Sequence, residues 1–199
     1  MSGQLDSARG RICGRAVVAC LGMTAGSANA EVHAYQLEPS HADVLFAVDH
    51  VGFSLKHGCF RDIKGNMTFS AGQPERSQVS ITIGADSVDT ADPQRDSELR
   101  GANFFDVVRY PSIRFDSSRI IGAGNEAYRV EGLLTMHGVT KAITLEARIN
   151  KVGNNPFSRK PTVGFTAIGT VRRSDFAIGR WVPMIGDEVF ITIDVEFSQ

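Results

Sequence analysis

Apolar and polar residues alternate with a period of two along most of this chain. Val44, Phe46, Val48 and His50 share one parity, as do Val79, Ile81, Ile83 and Ala85, followed by Ile113, Phe115 and Ser117. Val130, Gly132, Leu134 and Met136 come next, then Ile143, Leu145, Ala147 and Ile149, then Val163, Phe165, Ala167, Gly169 and Val171. The last run is the most regular: every odd position from Val189 to Phe197 is apolar, with Thr192, Asp194 and Glu196 between. Successive side chains on a strand point to opposite faces, so each run describes a strand with one buried and one wet face. That is antiparallel sheet, because the strands of βαβ units are apolar on both faces. Turn-forming strings at Gly72-Gln73-Pro74, Gly122-Ala123-Gly124-Asn125 and Gly153-Asn154-Asn155-Pro156 separate the runs. With a strand at Arg61 to Ser70 the count reaches about eight, joined mostly in sequence order. The expected fold is all-β: an eight-stranded antiparallel up-and-down barrel, in which closure removes every open edge.

Residues 92 to 110 break this rhythm. Asp96 to Phe105 reads as a short helix with Asp92 as its N-cap, although Gly101 weakens it. A helix near 92–106 followed by Phe104-Phe105 forms either a lid over one barrel end or a surface helix packed outside; alternation does not choose. In Gly132-Leu133-Leu134-Thr135-Met136-His137-Gly138-Val139-Thr140-Lys141 a hairpin is expected, with Gly138-Val139 as its two-residue turn and His137 directed outward.

The first thirty residues differ from the rest. Arg9, Arg11 and Arg15 precede the apolar run Ala16 to Met23, and Ala28-Asn29-Ala30 has the small-x-small form that a signal peptidase reads, so residues 1–30 are expected to be an export signal cleaved after Ala30, leaving one domain over 31–199. Val17-Val18-Ala19-Cys20 has the form of a lipoprotein box, but with almost no apolar region ahead of the cysteine. The run is too short to span a bilayer. Cleavage removes three Arg and one Asp, taking the formal net charge from −1 to −3. No basic run marks a nucleic-acid surface.

Of three cysteines only Cys59 follows residue 30, so no internal disulfide is expected, and Cys59 reads as a small buried apolar residue. No His-Glu-x-x-His, Gly-x-Ser-x-Gly, phosphate-binding loop or dinucleotide fingerprint occurs, and five histidines with unpaired cysteine give a metal site little support. No catalytic residue, metal or cofactor is assigned. A barrel of this size either packs its interior with side chains or holds one small ligand. The residues expected to face that interior are Phe46, Val48, Phe53, Phe60, Ile81, Ile83, Ile113, Phe115, Leu134, Met136, Phe165, Ala167, Val171, Ile191 and Ile193. His50, Phe105, Arg173, Phe176 and Trp181 are candidates for the mouth, where Arg173 would meet either a lipid headgroup or a carboxylate such as Asp175.

Several short strings carry a family resemblance. Phe46-x-Val48-x-His50, Gly58-x-Phe60, Ser87-Val88-Asp89-Thr90, Asp96-x-x-Leu99-Arg100, Phe104-Phe105-Asp106, Tyr110-Pro111-x-Ile113-x-Phe115, Gly132-x-Leu134-Thr135-x-His137-Gly138-Val139-Thr140-Lys141 and Arg173-Ser174-Asp175-Phe176, with Tyr35 ahead of them, occur in order from about Tyr35 to Phe197. Together they resemble the YceI-like family of bacterial periplasmic proteins. The resemblance implies an extended lipocalin-like barrel holding a long isoprenoid or similar lipid, a quinone among them, with no catalytic activity. Ala177 departs from it by standing where the family usually has Gly. The expectation is therefore a periplasmic carrier of such a lipid, with a homodimer left open. The alternative is a hydrolase or isomerase acting on the lipid through His50 or His137.

Overall fold

The computed structural model describes residues 31–70 and 72–199. The export signal expected at 1–30 lies outside the described residues. Ten strands and one helix follow in order: β1 (His33–His50), β2 (Ser54–Phe60), β3 (Ile63–Phe69), β4 (Gln78–Gly84), β5 (Val88–Asp89), α1 (Pro93–Arg100), β6 (Ser112–Gly124), β7 (Ala127–Met136), β8 (Val139–Asn154), β9 (Pro161–Arg172) and β10 (Ile185–Ser198). Eight of them close an antiparallel barrel in the order β1, β3, β4, β6, β7, β8, β9, β10, with β10 returning to pair with β1. The seam brings Val44, Phe46 and Val48 opposite Ile193, Ile191 and Val189. Closure satisfies the backbone donors and acceptors that an open edge would leave unpaired.

The long first strand departs from the expected element set. β1 serves two partners along one edge: His33 to Gln36 pair with β3, and Val44 to His50 pair with β2. A register irregularity between Leu37 and Ala42 bends it where the change occurs. β2 and β3 are thus two halves of one bent partner, and β5 adds a short strand outside β2. No sequence run announced β2, because Lys56 and Gly58 interrupt its inward parity.

The 137–138 hairpin also corrects the expected turn. Met136 pairs with Val139, so the central residues are His137 and Gly138, both with positive φ at 52° and 74°. This is the mirror-image turn that matches strand twist, one residue earlier than the Gly138-Val139 reading.

Helix α1 has the expected cap but spans Pro93–Arg100 instead of Asp96 to Phe105, ending at Gly101. Asp92 caps it, its carboxylate accepting from Gln94 N at 3.1 Å and Arg95 N at 3.2 Å. The helix is tied to the segment before it: buried Asp96 accepts from Thr90 N and Thr90 Oγ1, and Arg100 donates to Asp86 O and Val88 O at 2.7 and 2.8 Å. No helix among the described residues is long and apolar enough to cross a membrane.

Candidate ligand cavity

The inward side chains do not fill the space the barrel encloses. They leave a cavity of about 300 Å³ whose exposed surface is apolar throughout. Two glycines on the inward face make room for aromatic rings beside that space. A side chain at Gly58 would run into the Phe46 ring, and one at Gly132 into the Phe115 ring. Phe46 and Phe115 therefore lie over bare backbone instead of projecting across the lumen.

One end of the cavity is sealed. Phe165 meets Phe69 and Phe197 edge to face, with ring centroids 5.8 and 6.2 Å away, and Val163 beside them is fully buried. At the other end Leu99, Phe104 and Phe105 form part of the wall, Phe105 packing against Phe60 at 5.6 Å and Phe60 against Phe46 at 5.7 Å. The segment after β5 is thus a lid, and the outer-surface alternative falls.

Alternation placed most of the wall. Phe46, Val48, Phe60, Ile81, Ile83, Ile113, Phe115, Leu134, Met136, Phe165, Ala167, Val171, Ile191 and Ile193 all line the cavity, as do Phe105 and Arg173. Phe53 does not. It lies in the turn after β1, beyond the last paired rung, where no sheet holds it inward, and is 90% exposed. His50 has inward parity but ends β1 at the rim, exposed and outside the wall. Trp181 lies in the exposed loop between β9 and β10, and Phe176 is buried behind the wall in a 3-10 turn over Arg173–Phe176. Leu99, Phe104, Tyr128, Ile178 and Ile185 belong to the wall without having been singled out. Tyr128 has inward parity with Val130, and Ile185 has that of Val189 at the start of β10; Leu99, Phe104 and Ile178 sit in segments with no strand period to read.

Arg173 is not paired with Asp175, the carboxylate expected for it. It is buried, and donates to four backbone carbonyls: Nε to Gly186, Nη1 to Ile178 and Arg180, Nη2 to Ile185, each at 2.8 Å. Burial pulls its pKa below the ordinary arginine value, and nearby Asp187 opposes that. The guanidinium folds the 178–186 loop around itself, and four of its five N–H donors are used in doing so. Asp187, not Asp175, is the carboxylate of this loop; it accepts from Ser174 N at 2.9 Å and Ser174 Oγ at 2.7 Å.

His137 is a structural residue of the same rim. Its Nδ1 donates to Phe176 O at 3.1 Å, and its ring stands edge-on to Tyr110 at 4.8 Å. Neither His50 nor His137 borders the cavity. Among the described residues no group of three or more His, Cys, Asp or Glu is placed to hold a metal ion. Cys59 is buried, and desolvation raises its thiol pKa, which disfavours the reactive thiolate.

Residues 35–197 match the model of the YceI-like domain. The chain is 37% identical over 182 residues to Protein YceI of Salmonella arizonae, covering 92% of this chain and 94% of that one. By fold it is similar to BcnA of Burkholderia cenocepacia, with a TM-score of 0.74, 23% identity, and coverage of 80% of this chain and 98% of that one. A polyisoprenoid binding domain of Saccharophagus degradans, implicated in plant cell wall breakdown, has a TM-score of 0.64 at 14% identity, over 82% of this chain and 97% of that one. At such identities the last two likenesses concern the fold alone.

Proposed function

This chain belongs to the YceI-like domain family, and from that membership and its wholly apolar cavity we propose that it is a periplasmic binding or carrier protein for a long-chain lipid. The cargo is an isoprenoid or similar molecule: a quinone, a polyprenyl lipid or a fatty-acid derivative. The observation that carries the reading is the chemistry of the wall. A cavity with no polar surface offers water few partners, while each methylene moved into it from water gains about 0.8 kcal/mol. The polyisoprenoid binding described for the Saccharophagus domain agrees with this choice of ligand class. Export rests on the Arg-rich, apolar and small-residue pattern of residues 1–30.

The test is organic extraction of the folded, exported protein followed by mass spectrometry. One long-chain lipid per chain, recovered unchanged, supports a carrier; steady conversion to a product during incubation would replace it with an enzyme. Phe165→Asp places a carboxylate in the wall that must be desolvated when a hydrocarbon enters, so lipid recovery should fall sharply in that variant if it remains folded. His137→Ala should leave recovery nearly intact. The reverse result would move the working site to the hairpin.

A further inference from the structure

Exposed apolar side chains gather at the lid end of the barrel. Val51, Phe53 and Leu55 come from the turn joining β1 to β2; Trp181, Val182 and Met184 come from the β9–β10 loop. The two segments touch, Val51 N donating to Met184 O at 3.0 Å, and His50 pairs with Ile185 just inside them. Val108, 91% exposed on the lid-to-β6 loop, adds to the same end, which Tyr110, His137 and Phe176 O tie to the β9–β10 loop. The patch runs directly into the cavity wall, since Ile185 and Val48 both line it.

Two of these side chains are kept against their backbone. Nine non-glycine residues have positive φ among the described residues, and only Val51 and Trp181, at 59° and 66°, are large and apolar. In that region a β-branched or bulky side chain is sterically costly, and Asn or Gly is the residue local folding favours. Both residues are nonetheless exposed, Val51 by 49% and Trp181 by 47%, so solvent and core packing explain neither. Charge adds a second pointer. Lys56, next to Leu55, and Arg180, whose guanidinium lies 4.5 Å from the Trp181 ring centroid, have no carboxylate partner among the described residues. Asp49 nearby is engaged by Gly52 N.

We propose that this rim docks on the surface of an anionic phospholipid bilayer, with Phe53 and Trp181 entering the headgroup region and Lys56 and Arg180 meeting lipid phosphates. An aromatic ring with a stacked cation suits that boundary, where one side is apolar and the other wet and negative. The proposal rests on the lipid-carrier reading: a cargo that does not dissolve in water has to enter and leave through an apolar phase, and the rim lies where the cavity wall reaches the surface.

Trp181 is the one tryptophan of the chain, so its emission reports on this rim alone. The experiment titrates the purified protein with phosphatidylcholine vesicles containing or lacking phosphatidylglycerol, and measures co-sedimentation and emission wavelength. A blue shift with co-sedimentation, stronger with phosphatidylglycerol, is expected. Phe53→Asp should lower vesicle affinity about tenfold or more, as loss of a buried aromatic anchor implies. Val51→Asn should weaken it too while raising the melting temperature, which separates docking from folding. Phe157→Asp, on the 155–160 loop at the opposite end, should change nothing. An unshifted Trp181, equal losses in Phe157→Asp and Phe53→Asp, or a soluble dimer that shields Trp181 would overturn the proposal. Lipid content, measured by extraction of the same samples, scores the carrier reading separately: a lipid-loaded protein that ignores vesicles sinks the docking surface alone, and a lipid-free protein that binds them sinks the carrier alone.

Discussion

A left-handed backbone costs an L-residue with a side chain about 1–2 kcal/mol, and Ala177 bears that cost at φ 58°. Its position is not free to change, because Ala177 N donates to Ser174 O and Ile178 N to Arg173 O, closing the turn that carries Arg173. Glycine adopts this conformation readily but adds about 0.4–1 kcal/mol of chain entropy to the unfolded state. Ala177→Gly should therefore stabilise by about 0.5–1 kcal/mol, a rise of a few degrees in melting temperature for a chain of this size. An unchanged or lower midpoint in thermal denaturation would show that the turn is not strained. At this scale the sequence was legible only where a residue sits inside a ladder. Parity sent Phe165 and Ile191 inward correctly; Phe53, placed inward with them, has the parity opposite to Val44, Phe46 and Val48 and lies in the turn three residues past the His50 rung, where no neighbouring strand constrains the side chain. Arg173 was misread for another reason: the carbonyls that hold it belong to Ile178, Arg180, Ile185 and Gly186, and no side-chain identity advertises a carbonyl.

Between residue and barrel stand the elements that set cavity shape. Gly132 on β7 lets the Phe115 ring lie against the wall. A Cβ at Gly132 would meet both that ring and Asp116 O on β6, so Gly132→Ala should lower the melting temperature by straining the β6–β7 ladder and should push the ring into the lumen, with long ligands losing affinity more than short ones; equal losses for both would mean that the ring gives way in another direction. The 173–187 loop has a different vulnerability. Burial, the largest single influence, raises the Asp187 pKa, but the two hydrogen bonds from Ser174 together with the charges of Arg172 and Arg173 outweigh it and hold the carboxyl below its ordinary value. A group with a depressed folded pKa contributes stability above its unfolded pKa, about 3.9 for Asp, and that contribution disappears as pH falls through the folded value. Acid should therefore loosen this loop below about pH 4, seen as a change in Trp181 emission. Asp187→Asn, which has no charge to lose, should show a flatter acid profile; a profile identical to that of the parent would remove Asp187 from the explanation. The lid shows how far pattern reading reaches for an element. Asp92 and the helix start were visible because a cap is a local device, whereas the lid's position depends on Asp96 reaching Thr90 and Arg100 reaching the 86–88 carbonyls across a loop.

For the whole molecule, closure was readable and emptiness was not. Alternation states which side of each strand is buried, but not how far apart opposite walls stand, so a packed barrel and a hollow one share the same period. The volume of about 300 Å³ arises from particulars: glycines at 58 and 132, rings laid along the wall, and a lid that covers the lumen instead of filling it. Such an interior forgoes the dispersion contacts a filled core would make. Cys59 is the one free cysteine among the described residues, so no disulfide offsets that loss there. Ligand should then contribute to stability by mass action: about 2.7 kcal/mol at a free concentration one hundred times Kd. Stripped protein should melt lower, and adding single-chain lipids of increasing length should restore the midpoint progressively, since each further methylene in the cavity gains about 0.8 kcal/mol. The gain should level off once the chain outgrows the lumen and further methylenes remain in water. Phe165→Asp should flatten the whole series. A midpoint indifferent to lipid length in the parent protein would mean that the walls collapse onto one another in solution, and the reading of this barrel as a lipid carrier would fall with the cavity.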